Sequence, residues 1–259
     1  MNEDDILEAC KHKAHEVMLD AFGSKGHLKE DFTPVTNADI EINQFVIDLV
    51  RTHFPNDAVL GEERAKNGSG RTWVVDPIDG TTPFTHKIPT ATCSIAIVDE
   101  GTVKQSMVHD PWTNRTYTAK RGQGTYRNGK KCEEMPNSIP KKPLFYQEVS
   151  LNSRLDVTKV LRDFEKEHSQ ILRLQSTTYA TISMIERGGC VVYGGSVPWD
   201  AAGVSLLVEE VGGRVTDFTG RKPSFDGKIS GVIMAAPKLH ETVLNRIKDT
   251  KAYKQIINS

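Results

Sequence analysis

Apolar positions recur every three or four residues over 4–22, at Ile6, Leu7, Cys10, Ala14, Val17, Met18, Ala21 and Phe22. One face of a 3.6-residue turn is thereby apolar, which predicts an amphipathic helix closed near Gly23. Residues 37–54 repeat the pattern with Ile42, Phe45, Val46, Leu49, Val50 and Phe54, behind the capping segment "VTNAD" and ahead of Pro55-Asn56. The middle of the chain is β-rich. "ATCSIAIV" (91–98), "TVKQSMVH" (102–109) and "RTYTAKR" (115–121) are divided by Asp-Glu-Gly and Asp-Pro-Trp-Thr-Asn turns, which predicts an antiparallel meander. From about 143, strand-like "LFYQEV", "QILRL" and "CVVY" precede helices near 153–166, 177–187 and 200–211. "GRVTDF", "GVIMAA" and a last helix over 237–249 follow. Strands alternating with helices predict an α/β layer. The Lys/Pro-rich "MPNSIPKKP" (135–143) is the natural seam between an N-terminal α+β half, about 1–140, and a C-terminal α/β half, about 143–259.

One stretch breaks the pattern. In "WVVDPIDGTTPF" (73–84) an apolar run enters directly into Asp76 and Asp79. Residues three apart on a straight strand face opposite sides, so these two serve one site only if the chain bends between them. Pro77 makes a bend plausible, because its φ is fixed and it donates no ladder hydrogen bond. Gly80 permits an unusual dihedral or close backbone approach. Thr81 or Thr82 suits the cap of a following helical turn, whose N–H groups favour an anion. Carboxylates, the Ile78 carbonyl, a hydroxyl and amides thus fall within six residues, and hard divalent cations want oxygen ligands of this kind. The plain alternative is an Asp-Pro/Asp-Gly surface turn. Three further features weigh against it: "VLGEE" (59–63) ends an apolar run in Glu62-Glu63, "VTNAD" puts Asp39 in a first helical turn, and "VPWDAAG" puts Asp200 at a helix start. Asp39 and Asp200 each read alone as ordinary capping. Together these carboxylates favour a converging metal site.

Bulk properties narrow the chemistry. A chain of 259 residues, 37% hydrophobic and 26% charged, is an ordinary globular composition. Its net charge of −1 argues against nucleic acid or an anionic membrane as main partner. Cys10, Cys93, Cys132 and Cys190 show no CxxC spacing, which fits a reducing cytoplasm. The start "MNEDDILEAC" is acidic where a signal peptide would be basic, and no apolar run is long enough to span a bilayer. "GTYRNGKK" (124–131) nearly matches a phosphate-binding loop but has Lys131 where a hydroxyl belongs, so a β-hairpin turning on Asn128-Gly129 is the better reading. No Asp-x-Asp nucleophile, Cys-x5-Arg, G-x-S-x-G elbow or HExxH pairing is present. His86 is a lone histidine beside the motif. Carboxylate-bound Mg²⁺ activating water remains.

"GEE" (61–63), "WVVDPIDGTTPF" (73–84) and "WDAAGVSLLVEEVGGRVTDFTG" (199–220) resemble the signature blocks of the inositol monophosphatase superfamily, Mg²⁺-dependent, lithium-sensitive phosphatases. The likeness covers essentially the whole chain. It implies a mixed α+β and α/β fold, a five-layered αβαβα sandwich of the sugar-phosphatase type, and a homodimer. Carried over by position, Glu62, Asp76, the Ile78 carbonyl, Asp79 and Asp200 match metal ligands for two or three Mg²⁺ ions. Gly80 and Thr81 match the phosphate-holding amides, with Asp79 and Asp200 beside the substrate. Asp39 and Thr81, with Glu62, match the group that activates the attacking water. Ser176 and Thr177 match a substrate-contacting helix start, and Lys29 a lysine on the loop before the second helix. The implied activity is phosphate monoester hydrolysis on a small metabolite, first an inositol monophosphate. Histidinol phosphate or fructose 1,6-bisphosphate is the alternative, because "YGGSVPWD" lacks the glutamate that contacts the inositol ring in animal-type relatives. A catalytically silent binding homologue would show a missing ligand, and none is missing.

Overall fold

The computed structural model describes residues 1–30, 32–148, 157–250 and 253. In chain order the elements are α1 (Glu3–Asp20), β1 (His27–Leu28), β2 (Pro34–Val35), α2 (Asn37–His53), β3 (Ala58–Gly61), β4 (Ala65–Lys66), β5 (Thr72–Asp79) and α3 (Thr81–Thr85). The meander follows as β6 (Thr92–Asp99), β7 (Thr102–Asp110), β8 (Arg115–Lys120), β9 (Gly124–Arg127) and β10 (Lys130–Lys131). Beyond the seam come β11 (Leu144–Glu148), α4 (Thr158–Lys166), β12 (Gln170–Leu172), α5 (Thr177–Arg187), β13 (Cys190–Tyr193), α6 (Trp199–Glu209), β14 (Arg214–Thr216), β15 (Val232–Ala235) and α7 (Pro237–Lys248). The start of the helix expected over 153–166, and Val149 of "LFYQEV", lie outside the described residues.

The first two helices begin where their caps dictate. Asn2 accepts from the Asp5 amide at 2.9 Å, and Asp5 returns a bond to the Asn2 amide at 2.9 Å. Thr36 and Asp39 form the same reciprocal pair on α2, satisfying amides that the first turn leaves unpaired. The hairpin on Asn128-Gly129 also forms as expected. Asn128 at φ 48° and Gly129 at φ 77° give the doubly positive turn that matches strand twist.

Strands β3 to β10 make one eight-stranded sheet, ordered β10-β9-β8-β7-β6-β5-β3-β4. Strands β11 to β15 make a second of five, ordered β12-β11-β13-β15-β14. This second sheet is mixed: β11 runs parallel to both β12 and β13, while β15 runs antiparallel to its neighbours. Side-chain alternation sets the layers. Trp73, Val75, Ile95 and Ile97 pack with α1 and α2, while Val74, Ala96 and Val98 turn to α5 and α6. On the second sheet Val191, Tyr193, Val232 and Met234 turn to α5 and α6, while Cys190, Val192, Ile233 and Ala235 pack with α4 and α7. The result is five layers, αβαβα, with α5 and α6 sandwiched between the sheets. Helix α6 is apolar all round for that reason: Ala201 through Val208 are all buried. No helix among the described residues is long and apolar enough to cross a membrane.

Two histidines are enclosed by this packing. The Nδ1 of His109 pairs with Thr116 Oγ1 at 2.9 Å and its Nε2 with His15 at 3.0 Å, while His240 Nε2 pairs with Thr216 Oγ1 at 2.9 Å. Burial pushes both rings down to about 4 from the usual 6.5. Between those values these two rings bind protons in the unfolded chain and refuse them in the folded one, so their contribution to stability falls as pH drops from 6.5 toward 4. Buried carboxylates with raised pKa values act in the opposite sense over that window, so the test is a difference. As pH falls from 6.5 toward 4, the urea midpoint of His240→Gln, which keeps a partner for Thr216 but cannot titrate, should rise relative to that of the unmodified chain. Equal slopes would remove His240 from the account.

Candidate active site

Strand β5 pairs regularly with β6 as far as Asp76 opposite Ser94, and the next pair is Asp79 opposite Thr92. Three steps along one strand therefore match two along the other, which is a β-bulge of one residue. Its effect shows in the packing. Simple alternation would put Ile78 with Val74 on the α5/α6 side, yet Ile78 lies with Trp73 and Val75 against α1 and α2. The parity flip turns Asp79 to the same side as Asp76. Pro77 sits inside the bulge, where its missing N–H costs no ladder bond.

Two more elements bring acids to this end. Strand β3 runs parallel to β5 with Gly61 opposite Val75, and the Glu62 amide donates to the Val75 carbonyl at 3.1 Å. Glu62 is thus delivered beside Asp76. Asp200 lies in the first turn of α6. The structure brings Asp76, Asp79 and Asp200 together, with one oxygen from each within 4.8 Å of the others. Burial first, and then the neighbouring carboxylates, push Asp76 and Asp200 well above the usual carboxylate range, and burial raises Asp79. Glu62 is pushed up to about 7 by burial, against the pull of Lys29. It is not in the tight triad. The Lys29 ammonium, carried in on the β1–β2 hairpin, donates to Glu62 at 2.8 Å and to Glu63 at 2.6 Å. Asp76 Oδ1 is buried with no hydrogen-bond partner among the described residues. A buried, unpaired oxygen facing two other carboxylates suits a hard divalent cation, which takes oxygen ligands and offsets like charge.

Behind the triad sits a hydroxyl relay. Asp39 is fully buried, its Oδ2 accepting from the Thr36 amide at 2.8 Å and hydroxyl at 2.6 Å. Its Oδ1 lies 3.3 Å from Thr81 Oγ1, which is also 3.1 Å from the Ile78 carbonyl. One hydroxyl proton serves one of these acceptors at a time. Burial raises Asp39 to about 6. The expected threonine cap is not what forms. Gly80 is the N-cap of α3, at φ 96° and ψ 42°, a left-handed conformation open to glycine without strain. Thr81 is thereby freed to turn its hydroxyl back to Asp39. His86 stays at the exposed end of α3, bonded to the Thr82 carbonyl at 2.9 Å.

The start of α5 is seated on Asp79. Oδ2 of Asp79 accepts from Ser176 Oγ at 2.7 Å, from the Thr178 amide at 2.6 Å and from the Thr178 hydroxyl. Ser176 is the N-cap, and Thr177 is buried as the first helical residue. Ser176 therefore meets the site through Asp79. Sequence reasoning missed three residues. Thr178 is one. Glu148 is another: it accepts from the Leu174 amide at 2.8 Å and so anchors the loop leading into α5, while burial lifts it to about 8. It ends an apolar strand in an acid, the signal that marked Glu62 and Asp76. The third is Tyr193, across the ladder from Glu148: burial, and then the Asp200 carboxylate, push its phenol well above the usual range.

Comparisons with known proteins agree with this fold. The family model "Inositol monophosphatase family" matches residues 3–252. The chain is 31% identical over 217 residues to the "Fructose-1,6-bisphosphatase/inositol-1-monophosphatase" of Thermotoga maritima, covering 83% of this chain and 82% of the relative. It is 30% identical over 235 residues to the "Histidinol-phosphatase" of Chlorobaculum parvum, covering 83% and 86%. The solved Thermotoga maritima IMPase superposes with a TM-score of 0.85 at 27% identity, covering 99% of this chain and all of that one. By sequence over nearly its whole length, and by fold, the chain belongs to the inositol monophosphatase family.

Proposed function

We propose that the chain is a Mg²⁺-dependent phosphoric monoester hydrolase acting on a small phosphorylated metabolite, with an inositol monophosphate as the first candidate substrate. The observation that carries this reading is the triad of Asp76, Asp79 and Asp200, with its orphaned oxygen on Asp76. Glu62, the Ile78 carbonyl and the triad are the ligand set. Bound Mg²⁺, two or three ions, supplies charge neutralisation for the phosphate and a lowered pKa for water. The phosphate sits at the Gly80–Thr81 start of α3, where helix-start amides attract an anion. Thr81 orients the water, and the water's proton passes through its hydroxyl to Asp39. The water oxygen bonds to phosphorus as the ester bond breaks, and the alcohol leaves with a proton from solvent. No covalent enzyme intermediate is needed. A homodimer, a cytoplasmic location and inhibition by Li⁺ belong to the same reading and rest on the family resemblance.

Histidinol phosphate and fructose 1,6-bisphosphate stay in view because relatives carry those names. A phosphate-release screen over inositol monophosphates, these two esters and adenosine 3′,5′-bisphosphate, with and without Li⁺, decides among them. No Mg²⁺-dependent release from any of them would favour a silent binding homologue. Two variants test the roles. Asp79→Asn keeps an acceptor for Ser176 and Thr178, so circular dichroism should show an intact fold. Phosphate release should drop more than the roughly 100-fold that an outer-shell substitution costs; near-normal release would sink the assignment. Thr81→Ala should lower kcat by about 10²–10⁴-fold with KM little changed, the range expected for a lost proton path. A change confined to KM would move Thr81 from proton transfer to binding.

A further inference from the structure

Strand β6 turns Ala96 and Val98 toward the middle helices, and alternation carries that face back to Ser94 and Thr92. Two hydroxyls thus stand where an interior face would take apolar side chains. Thr92 lies directly across the ladder from Asp79, in the first pair beyond the bulge, as Ser94 lies across from Asp76. The Thr92 hydroxyl bonds to the hydroxyl of Thr178, in the first turn of α5. Both side chains are fully buried. Proton count sets the direction of these bonds. Oδ2 of Asp79 takes the proton of the Thr178 hydroxyl, together with those of the Thr178 amide at 2.6 Å and Ser176 Oγ at 2.7 Å. A hydroxyl has one proton, so Thr178 has none left for Thr92 and accepts from it. The line runs Thr92 to Thr178 to Asp79, with every proton directed at the carboxylate.

We propose that Thr178, backed by Thr92, is a positioning residue for Asp79, a two-hydroxyl relay that holds the rotation of this carboxylate for Mg²⁺. This rests on the metal site of the proposed function. The last torsion of an aspartate is soft. Asp79 left unrestrained would swing to relieve its repulsion from Asp76 and Asp200. Donors on Oδ2 from the backbone and side chains of one helix start oppose that swing. A hydroxyl that accepts one hydrogen bond donates a stronger one, so Thr92 tightens a contact it does not itself make. Thr92 also ties the relay to the sheet that carries Asp79, so ligand and support share one frame. Neutral donors do this without adding another like charge to the cluster. Hydrogen bonds from outer-shell groups orient metal ligands in this way.

Titration calorimetry with Mg²⁺ alone tests the relay without turnover. Thr178→Val keeps the amide donor and nearly the shape but loses the hydroxyl. Its Mg²⁺ affinity should fall by about 10–100-fold. Thr92→Val, one bond further out, should lower affinity in the same direction by less, and Thr92→Ser should keep the unmodified affinity. In the Thr178→Val background, Thr92→Val should cost no further affinity, since Thr92 acts through Thr178. If Thr178→Val does not fold, the contrast of Thr92→Val with Thr92→Ser carries the test. Hydroxyls that only fasten α5 to the sheet would lower the metal-free thermal midpoint and leave Mg²⁺ affinity as it was. That result overturns the proposal, as do additive costs in the double variant. An unmodified chain that takes up no Mg²⁺ overturns the phosphatase reading, and this inference with it. Uptake that is normal in the unmodified chain and unaltered in Thr92→Val and Thr178→Val overturns this inference alone.

Discussion

Three carboxylates forced together inside a protein are the constraint around which this fold is arranged. Two like charges 4.8 Å apart repel by about 3 kcal/mol at an effective dielectric near 20, so three such pairs approach about 10 kcal/mol. That is comparable with the whole stability of an ordinary domain. Asp76, Asp79 and Asp200 cannot all stay ionised and buried without something that offsets them. The upward push on all three is the same fact seen from the proton's side. A proton or a cation must come, and the geometry sets which arrangement of oxygens it meets.

The chain holds this repulsive cluster from several directions. The bulge in β5 fixes Asp76 against Asp79, the parallel neighbour β3 brings Glu62, and α6 supplies Asp200. Three of the acids then have their own support: Asp39 is locked by Thr36, Asp79 by Ser176 and Thr178, and Glu62 by Lys29. Among these acids only Asp76 has a fully buried oxygen with no hydrogen-bond partner among the described residues, and it is the acid enclosed by the others. Supports of this kind resist the spreading that mutual repulsion would otherwise cause.

Much of this was legible in the chain because local rules agree with the global fold. The 3.6-residue stripes of α1 and α2, the meander from β6 to β8 and the Asn128-Gly129 turn are written in periodicity and turn chemistry. Asp76 and Asp79 were readable as a pair only on the condition of a bend, and the bulge is the form that bend takes. The choice of Gly80 over a threonine as the cap was not readable, because Thr81 has a better acceptor in Asp39, 42 residues earlier. Tyr193 was passed over for lacking a carboxylate. Its place beside Asp200 brings a strand end to a separate helix start, which no spacing rule reports. Glu148 carried a readable sign and was missed, since its strand belongs to the other sheet.

The first turn of helix α5 is seated on Asp79, and its last carries Glu186, which binds Arg115 at 2.7 Å, Arg127 at 2.7 Å and the Tyr117 hydroxyl on β8 and β9. The helix has 11 residues, so it reaches about 16 Å. It works as a strut, pinned at one end to the chemistry and at the other to the far rim of the large sheet. Whatever draws charge from Asp79 therefore bears on one end of that strut, while Glu186 and its partners hold the other.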